Sequence, residues 1–161
     1  MCGIFGIYNH SEASNHTYLG LYALQHRGQE SAGIVSSNNR QLHHHRQMGL
    51  VSEVFTKDIL KRLSGNSATG HVRYSTAGSS ELKNAQPLVV DYHKGGLAIA
   101  HDGNLINASL VRKELESRGS IFQSNTDTEV IVHLIARSGK KTLSSERSMP
   151  SNKLKAHTPC S

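Results

Sequence analysis

The sequence predicts an α+β layered domain, and three observations carry that prediction. Short apolar runs come as strands and hairpins, segments of helical period come in pairs, and the two kinds do not alternate as βαβ units would. A chain of 161 residues suits one domain with a two-layer core, and 36% hydrophobic residues with few aromatics and no Trp make that core modest.

The elements follow in chain order. Gly3 to Tyr8 reads as a buried strand, directly behind Met1 and Cys2. The polar turn Asn9-His10-Ser11-Glu12 leads into an amphipathic helix from Asn15 to Gln25, with Tyr18, Leu19, Tyr22 and Leu24 as its stripe and Gly28 as its stop. Ala32 to Ser36 and Gln41 to Gln47 flank the turn residues Ser37-Asn38-Asn39-Arg40 and form a hairpin. His43, His44 and His45 fall in its second strand, where they alternate faces and cannot all ligate one metal. Val51 to Leu63 forms one or two short helices ended by Ser64-Gly65-Asn66, and Ser67 to Tyr74 forms another strand. Leu88 to Tyr92 and Leu97 to His101, joined by His93-Lys94-Gly95-Gly96, make a second hairpin. Asn107 to Arg118 is a helix with the stripe Leu110, Val111 and Leu115, a cap at Asn107 and a stop at Gly119. Thr126 to Arg137 is another, with Thr126 and Glu129 spaced as a capping box and Val130, Ile131, Leu134 and Ile135 as its stripe. From 139 to 161 apolar periodicity disappears and Ser, Lys, Arg, Pro and Thr predominate, so this tail is expected to be disordered.

Charge and cysteine usage narrow the function classes. The net charge of +6 is concentrated in the tail: residues 1–136 hold 12 Lys and Arg against 11 Asp and Glu, whereas residues 137–161 hold 6 against 1. The domain therefore offers no electrostatic footprint for nucleic acid. No apolar run spans a membrane and no secretory signal precedes the domain, which reads as cytoplasmic. Cys2 and Cys160 are the only cysteines, with neither disulfide nor zinc spacing, and no Gly-rich phosphate loop or H-E-x-x-H motif is present. No metal and no cofactor are expected in this chain.

The chemistry centres on Cys2. Removal of Met1 would leave a thiol and a free α-amine on the same Cα, a nucleophile and its base in one residue. An unperturbed thiol is only a few per cent thiolate at neutral pH, and an α-amine of pKa about 7.7–8.0 is neutral often enough to take its proton. Four polar stretches accompany it: Leu24-Gln25-His26-Arg27-Gly28-Gln29-Glu30-Ser31-Ala32-Gly33, Gly70-His71-Val72-Arg73-Tyr74-Ser75-Thr76, His101-Asp102-Gly103-Asn104-Leu105 and Ser124-Asn125-Thr126-Asp127-Thr128-Glu129.

With these five stretches in this order, the chain resembles the class II glutamine amidotransferases of the N-terminal nucleophile hydrolase fold. It is most similar to the glutaminase part of the amidophosphoribosyltransferase branch. The resemblance covers residues 1–138 and implies a four-layer αββα sandwich, incomplete at the C-terminus. It implies glutamine as substrate and purine biosynthesis as the setting, and it is compatible with a homo-oligomer when the complete protein is made. Cys2 would form a thioester with the glutamine side chain, releasing ammonia and then glutamate. Arg73 would bind the α-carboxylate, Asp127 the α-ammonium, Thr76 would support the pocket, and Arg27 would stand near the nucleophile. Singly, Arg73 and Arg27 are better explained as structural ion pairs, and Asp127 and Thr76 as helix-start or turn residues; jointly they point to the site.

Two departures qualify the resemblance. The family pattern at 101–103 is His-Asn-Gly, in which the Asn amide and the Gly N–H form an oxyanion hole. Here Asp102 stands beside Gly103, and an ionised carboxylate donates no N–H and repels the oxyanion. Activity is expected to be severely weakened. The match also stops near Ser138, with no phosphoribosyltransferase segment, so this chain alone is not expected to make phosphoribosylamine. The alternative readings are a catalytically dead glutamine- or partner-binding fragment, the glutaminase part of another class II amidotransferase, and a truncated product without a stable fold.

Overall fold

Residues 1–38, 41–74 and 80–138 are described by the computed structural model. Its larger sheet is antiparallel and holds β1 (Gly3–Tyr8), β2 (Ser31–Ser37), β3 (Leu42–Met48) and β4 (Ser67–Arg73) in the spatial order β1-β4-β2-β3. A two-stranded antiparallel hairpin follows, β5 (Leu88–Tyr92) and β6 (Gly95–Ile99). The helices are α1 (Ala13–Ala23), α2 (Val51–Val54), α3 (Lys57–Arg62), α4 (Ala108–Ser117) and α5 (Thr128–Arg137). The Asn39-Arg40 half of the first turn and the 139–161 tail lie outside the described residues.

One face of the large sheet meets α1 and α2. Ala32, Ile34, Ala68 and Val72 of the strands form the core with Ala13 and Leu21 of α1, Val51 and Val54 of α2, and Phe55 and Leu63. On the opposite face the segment Asn84–Pro87 crosses β2 at Gly33, where a Cβ would come within 2.1 Å of the Gln86 carbonyl oxygen. The β5–β6 hairpin continues this second layer, since Gly96 lies against the Leu42 side chain. Helix α5 packs on β5, and α4 on α5. The result is the helix, sheet, sheet, helix succession that the resemblance implied.

Several expectations about faces need correction. β1 is an edge strand rather than a buried one, with Gly3, Phe5 and Ile7 towards the core and Ile4, Gly6 and Tyr8 exposed. Only half of the expected α1 stripe faces the core: Tyr18 and Leu24 pack against it half-buried, Leu19 and Tyr22 are exposed, and the buried residues are Ala13, Ser14, Thr17 and Leu21. Close approach explains this. A Cβ at Gly70 would stand 2.6 Å from Leu21 Cδ1 and 2.7 Å from Thr17 Cγ2, so the missing side chain on the strand lets Ala13, Thr17 and Leu21, at i, i+4 and i+8, sit directly on the sheet. Leu110 and Leu134 likewise face outward, leaving Leu115 of α4 and Val130 and Val132 of α5 buried.

The capping box at Thr126 does not form. Helix α5 starts two residues later, and the Glu129 carboxylate instead accepts from Gln123 N (2.8 Å), Ser124 N (2.6 Å) and Ser124 Oγ (2.6 Å). Asp127 occupies the N-cap without a side-chain cap bond, because its carboxylate is turned onto Leu105 N.

His71, on the hairpin-side face of β4, is fully buried, and burial pushes its imidazole down to about 4, with the Arg73 charge acting in the same direction.

Two predictions follow from this packing. Leu21→Ala should lower unfolding stability by about 2–5 kcal/mol in urea titration, because the tight helix–sheet contact cannot collapse around the void. For His71 the folded state resists protonation. Above pH 6.5 both states hold a neutral ring, and as pH falls from 6.5 towards 4 only the unfolded chain gains the proton, so stability drops across that window. The loss should be on the order of 3 kcal/mol and should be missing from the pH dependence of His71→Gln. An identical pH dependence in the variant would assign the acid sensitivity to other groups.

Candidate active site

Strand register brings the first pair of site residues together. Gly3 lies opposite Val72 in the β1–β4 ladder, so Cys2 enters the sheet beside Arg73 and Tyr74. The Cys2 Sγ is 3.5 Å from both the backbone N and O of Tyr74, accepting from the first and able to donate to the second. Cys2 is half-buried and its neighbour Met1 is 73% exposed, so the N-terminal peptide bond lies at the surface.

A closed ring of three residues surrounds the Cys2 backbone. Arg27, ending a short 3-10 turn after α1, donates through Nε to Cys2 O at 2.7 Å and through Nη2 to Asp102 Oδ2 at 3.1 Å. Asp102 in turn accepts from Cys2 N at 3.1 Å through Oδ1. The guanidinium therefore fixes the carboxylate against the Cys2 backbone nitrogen. Gly28 lets this turn approach β4, since a Cβ there would lie 2.6 Å from the Arg73 carbonyl carbon. Gly103 follows Asp102 in a tight loop, where a Cβ would stand 3.0 Å from His101 Nε2.

Arg73 is 4% exposed; its Nη1 donates to Asn84 O at 2.9 Å and its Nε stands 3.8 Å from Glu30 Oε1. Asp127 holds the other side of the loop: Oδ2 accepts from Leu105 N at 2.7 Å, and Oδ1 is 3.9 Å from His101 Nδ1. The structure thus links Cys2, Arg27, Asp102 and Gly103 directly, and joins Asp127 to them through the 101–105 loop. Arg73 joins through the strand ladder. Thr76 lies outside the described residues.

Sequence reasoning passed over the segment that connects these parts. Asn84 and Gln86 are 0% and 5% exposed and bond to Arg73, Asn125, His101 and Thr128. They sit in a non-periodic stretch before Pro87, and their only signal was two amide side chains flanking Ala85 in a loop too polar to be core. Glu30 was visible inside the Leu24–Gly33 stretch but had no assigned partner until the fold set it against Arg73.

The arrangement gathers a thiol, a buried cation and two carboxylates, those of Asp102 and Asp127, about the end of the β1–β4 ladder and the 101–105 loop. A groove of about 450 Å³ on the same sheet face is lined by Ile7, Tyr8, Ser37, Ser67 and Ala98, at the opposite end of the strands from Cys2, and is not this site. No group of three or more His, Cys, Asp or Glu among the described residues could hold a metal ion, and no helix among them is long and apolar enough to cross a membrane.

Comparison with known proteins identifies the family. A glutamine amidotransferase domain model matches residues 58–150. The amidophosphoribosyltransferase of Bacillus subtilis is 52% identical over 143 residues, covering 88% of this chain and 30% of the relative. Amidophosphoribosyltransferase 2, chloroplastic, of Arabidopsis thaliana is 57% identical over 136 residues, covering 84% and 24%. Among solved structures, the glutamine phosphoribosylpyrophosphate amidotransferase from B. subtilis complexed with ADP and GMP superposes with a TM-score of 0.81 at 48% identity, over 91% of this chain and 31% of that one. The chain spans about 30% of the length of the B. subtilis relative. With the family model matched over more than half its residues, the chain belongs to the glutamine amidotransferase domain family.

Proposed function

We propose that residues 1–138 are the glutaminase part of an amidophosphoribosyltransferase-like enzyme of de novo purine biosynthesis, hydrolysing glutamine through a Cys2 thioester. The observation that carries this reading is the hydrogen-bonded ring of Cys2, Arg27 and Asp102, set beside the buried Arg73 at the end of the β1–β4 ladder.

In this reading the thiolate of Cys2 attacks the glutamine side-chain carbonyl carbon, and the thiol proton passes to the α-amine exposed by removal of Met1. The tetrahedral intermediate expels ammonia by breaking the C–N bond, with the α-ammonium returning the proton to the leaving nitrogen. Water then cleaves the thioester, giving glutamate and restoring the thiol. Arg73 pairs with the substrate α-carboxylate and Asp127 with its α-ammonium, and Gly103 N–H supports the oxyanion.

Asp102 acts against two of these steps. Its carboxylate donates no hydrogen bond to the oxyanion, and at 3.1 Å from the Cys2 nitrogen it favours the charged ammonium over the neutral amine that must accept the thiol proton. This same observation favours a second reading, a glutamine-binding protein without turnover. Arg27 offsets part of the unfavourable charge by pairing with Oδ2.

The distinguishing experiment exposes the purified chain to 6-diazo-5-oxonorleucine and follows intact mass. A form lacking Met1 should gain one adduct, mapped to Cys2 and not Cys160. Asp102→Asn should label and turn over glutamine faster by about 10²–10³, the worth of an oxyanion donor. No adduct in either protein would overturn the hydrolase reading, and glutamine binding without turnover in both would select the second.

A further inference from the structure

We propose that Gln86 is a positioning residue: its carboxamide holds the His101–Gly103 loop and the start of α5 at a fixed separation, aligning the oxyanion and α-ammonium subsites with each other. The proposal rests on the glutaminase reading and concerns a residue outside the stretches that carry the family resemblance.

The strap Asn84–Pro87 is fastened from below. Arg46, on β3, donates through Nη1 to Ala85 O at 2.8 Å and Pro87 O at 3.4 Å. Gly33, on β2, lets the Gln86 carbonyl rest on the strand with no intervening side chain. From this fixed base two side chains reach upward. Asn84 Oδ1 accepts from Asn125 N at 3.2 Å, while its carbonyl takes Arg73 Nη1. Gln86 Oε1 accepts from His101 N at 2.7 Å, and its Nε2 donates to Thr128 Oγ1 at 3.1 Å.

The chemistry of the two contacts fixes the amide orientation. A backbone N–H can only donate, so the oxygen must face His101, leaving the NH₂ for the Thr128 hydroxyl. Both bonded groups are one residue away from site residues: His101 precedes Asp102, and Thr128 follows Asp127. Gln86 is 5% exposed and Thr128 fully buried, so water cannot easily replace either bond. A planar carboxamide is a spacer of constant length, and the separation of the two subsites is therefore set by one side chain mounted on the rigid sheet.

The test uses the full chain lacking Met1, labelled by 6-diazo-5-oxonorleucine over a range of concentrations, with iodoacetamide as a thiol reagent that needs no glutamine pocket. Gln86→Met keeps the length and loses both bonds; its maximal labelling rate should fall and its half-saturating concentration rise, each by about tenfold, the size of a lost buried hydrogen bond. Thr128→Val loses only the contact at α5 and should raise the half-saturating concentration while leaving the maximal rate unchanged. Iodoacetamide alkylation of Cys2, mapped apart from that of Cys160, should be alike in all three proteins. Unchanged constants in folded Gln86→Met, or a parallel loss of iodoacetamide reactivity, would overturn the proposal. If Gln86→Met does not fold, an unchanged half-saturating concentration in Thr128→Val overturns it equally. A Cys2 that iodoacetamide labels and the glutamine mimic labels in neither the wild-type chain nor Asp102→Asn would instead defeat the glutaminase reading itself.

Discussion

The pairing of β1 with β4 is the constraint on which the site depends. Antiparallel register is quantised: a slip of one residue turns every side chain of the edge strand to the other face. With Gly3 opposite Val72, Cys2 emerges next to Arg73 and Tyr74, and Phe5 and Ile7 point into the core. The register is held by volume as much as by hydrogen bonds. Gly3 fits against Val72 and Leu24, and Gly20 leaves room for the Phe5 ring. An edge strand without these close contacts would have few reasons to prefer one register, and the nucleophile would have no defined place.

Electrostatics then decide what the placed nucleophile can do. In the ring formed by Cys2, Arg27 and Asp102, the cation and the carboxylate satisfy each other, and the carboxylate also holds the Cys2 nitrogen. Such an arrangement is locally favourable. Under the proposed glutaminase reading, the same carboxylate presents an acceptor where a developing oxyanion calls for a donor.

Features of the chain that rest on local chemistry were legible from the residues. The two hairpins, helical structure over 51–63 and the stop at Gly119 follow from turn residues and apolar period and are present, although the last strand runs Gly95–Ile99 and not Leu97 to His101, because Gly95 and Gly96 pair with Tyr92 and Asp91. Cys2 and the polar stretches around Arg27, Arg73, Asp102 and Asp127 stood out because each combines chemistry-bearing side chains with glycine or turn residues. What misled was the assumption that the largest apolar side chains mark the buried face. In α1 the sheet approaches through Gly70, so Thr17 and Leu21 are buried while Leu19 and Tyr22 are not. At α5, Thr126 and Glu129 have capping-box spacing, yet Asp127 is drawn to Leu105 and Glu129 to the 123–124 backbone, and the helix begins later.

The sequence by itself determined the inventory: an α+β chain, a thiol directly behind Met1, polar stretches rich in charged side chains, and an excess of basic residues after 136. These are properties of single residues and their near neighbours, which composition and spacing express directly. Only the tertiary structure decided that Asp102 pairs with Arg27 and reaches the Cys2 nitrogen, that Glu30 stands by Arg73, and that Gln86 spans His101 and Thr128. Those contacts join residues 15 to 100 positions apart. Their geometry depends on strand register and helix approach distance, which are set by packing volumes summed over the whole core and by no local pattern.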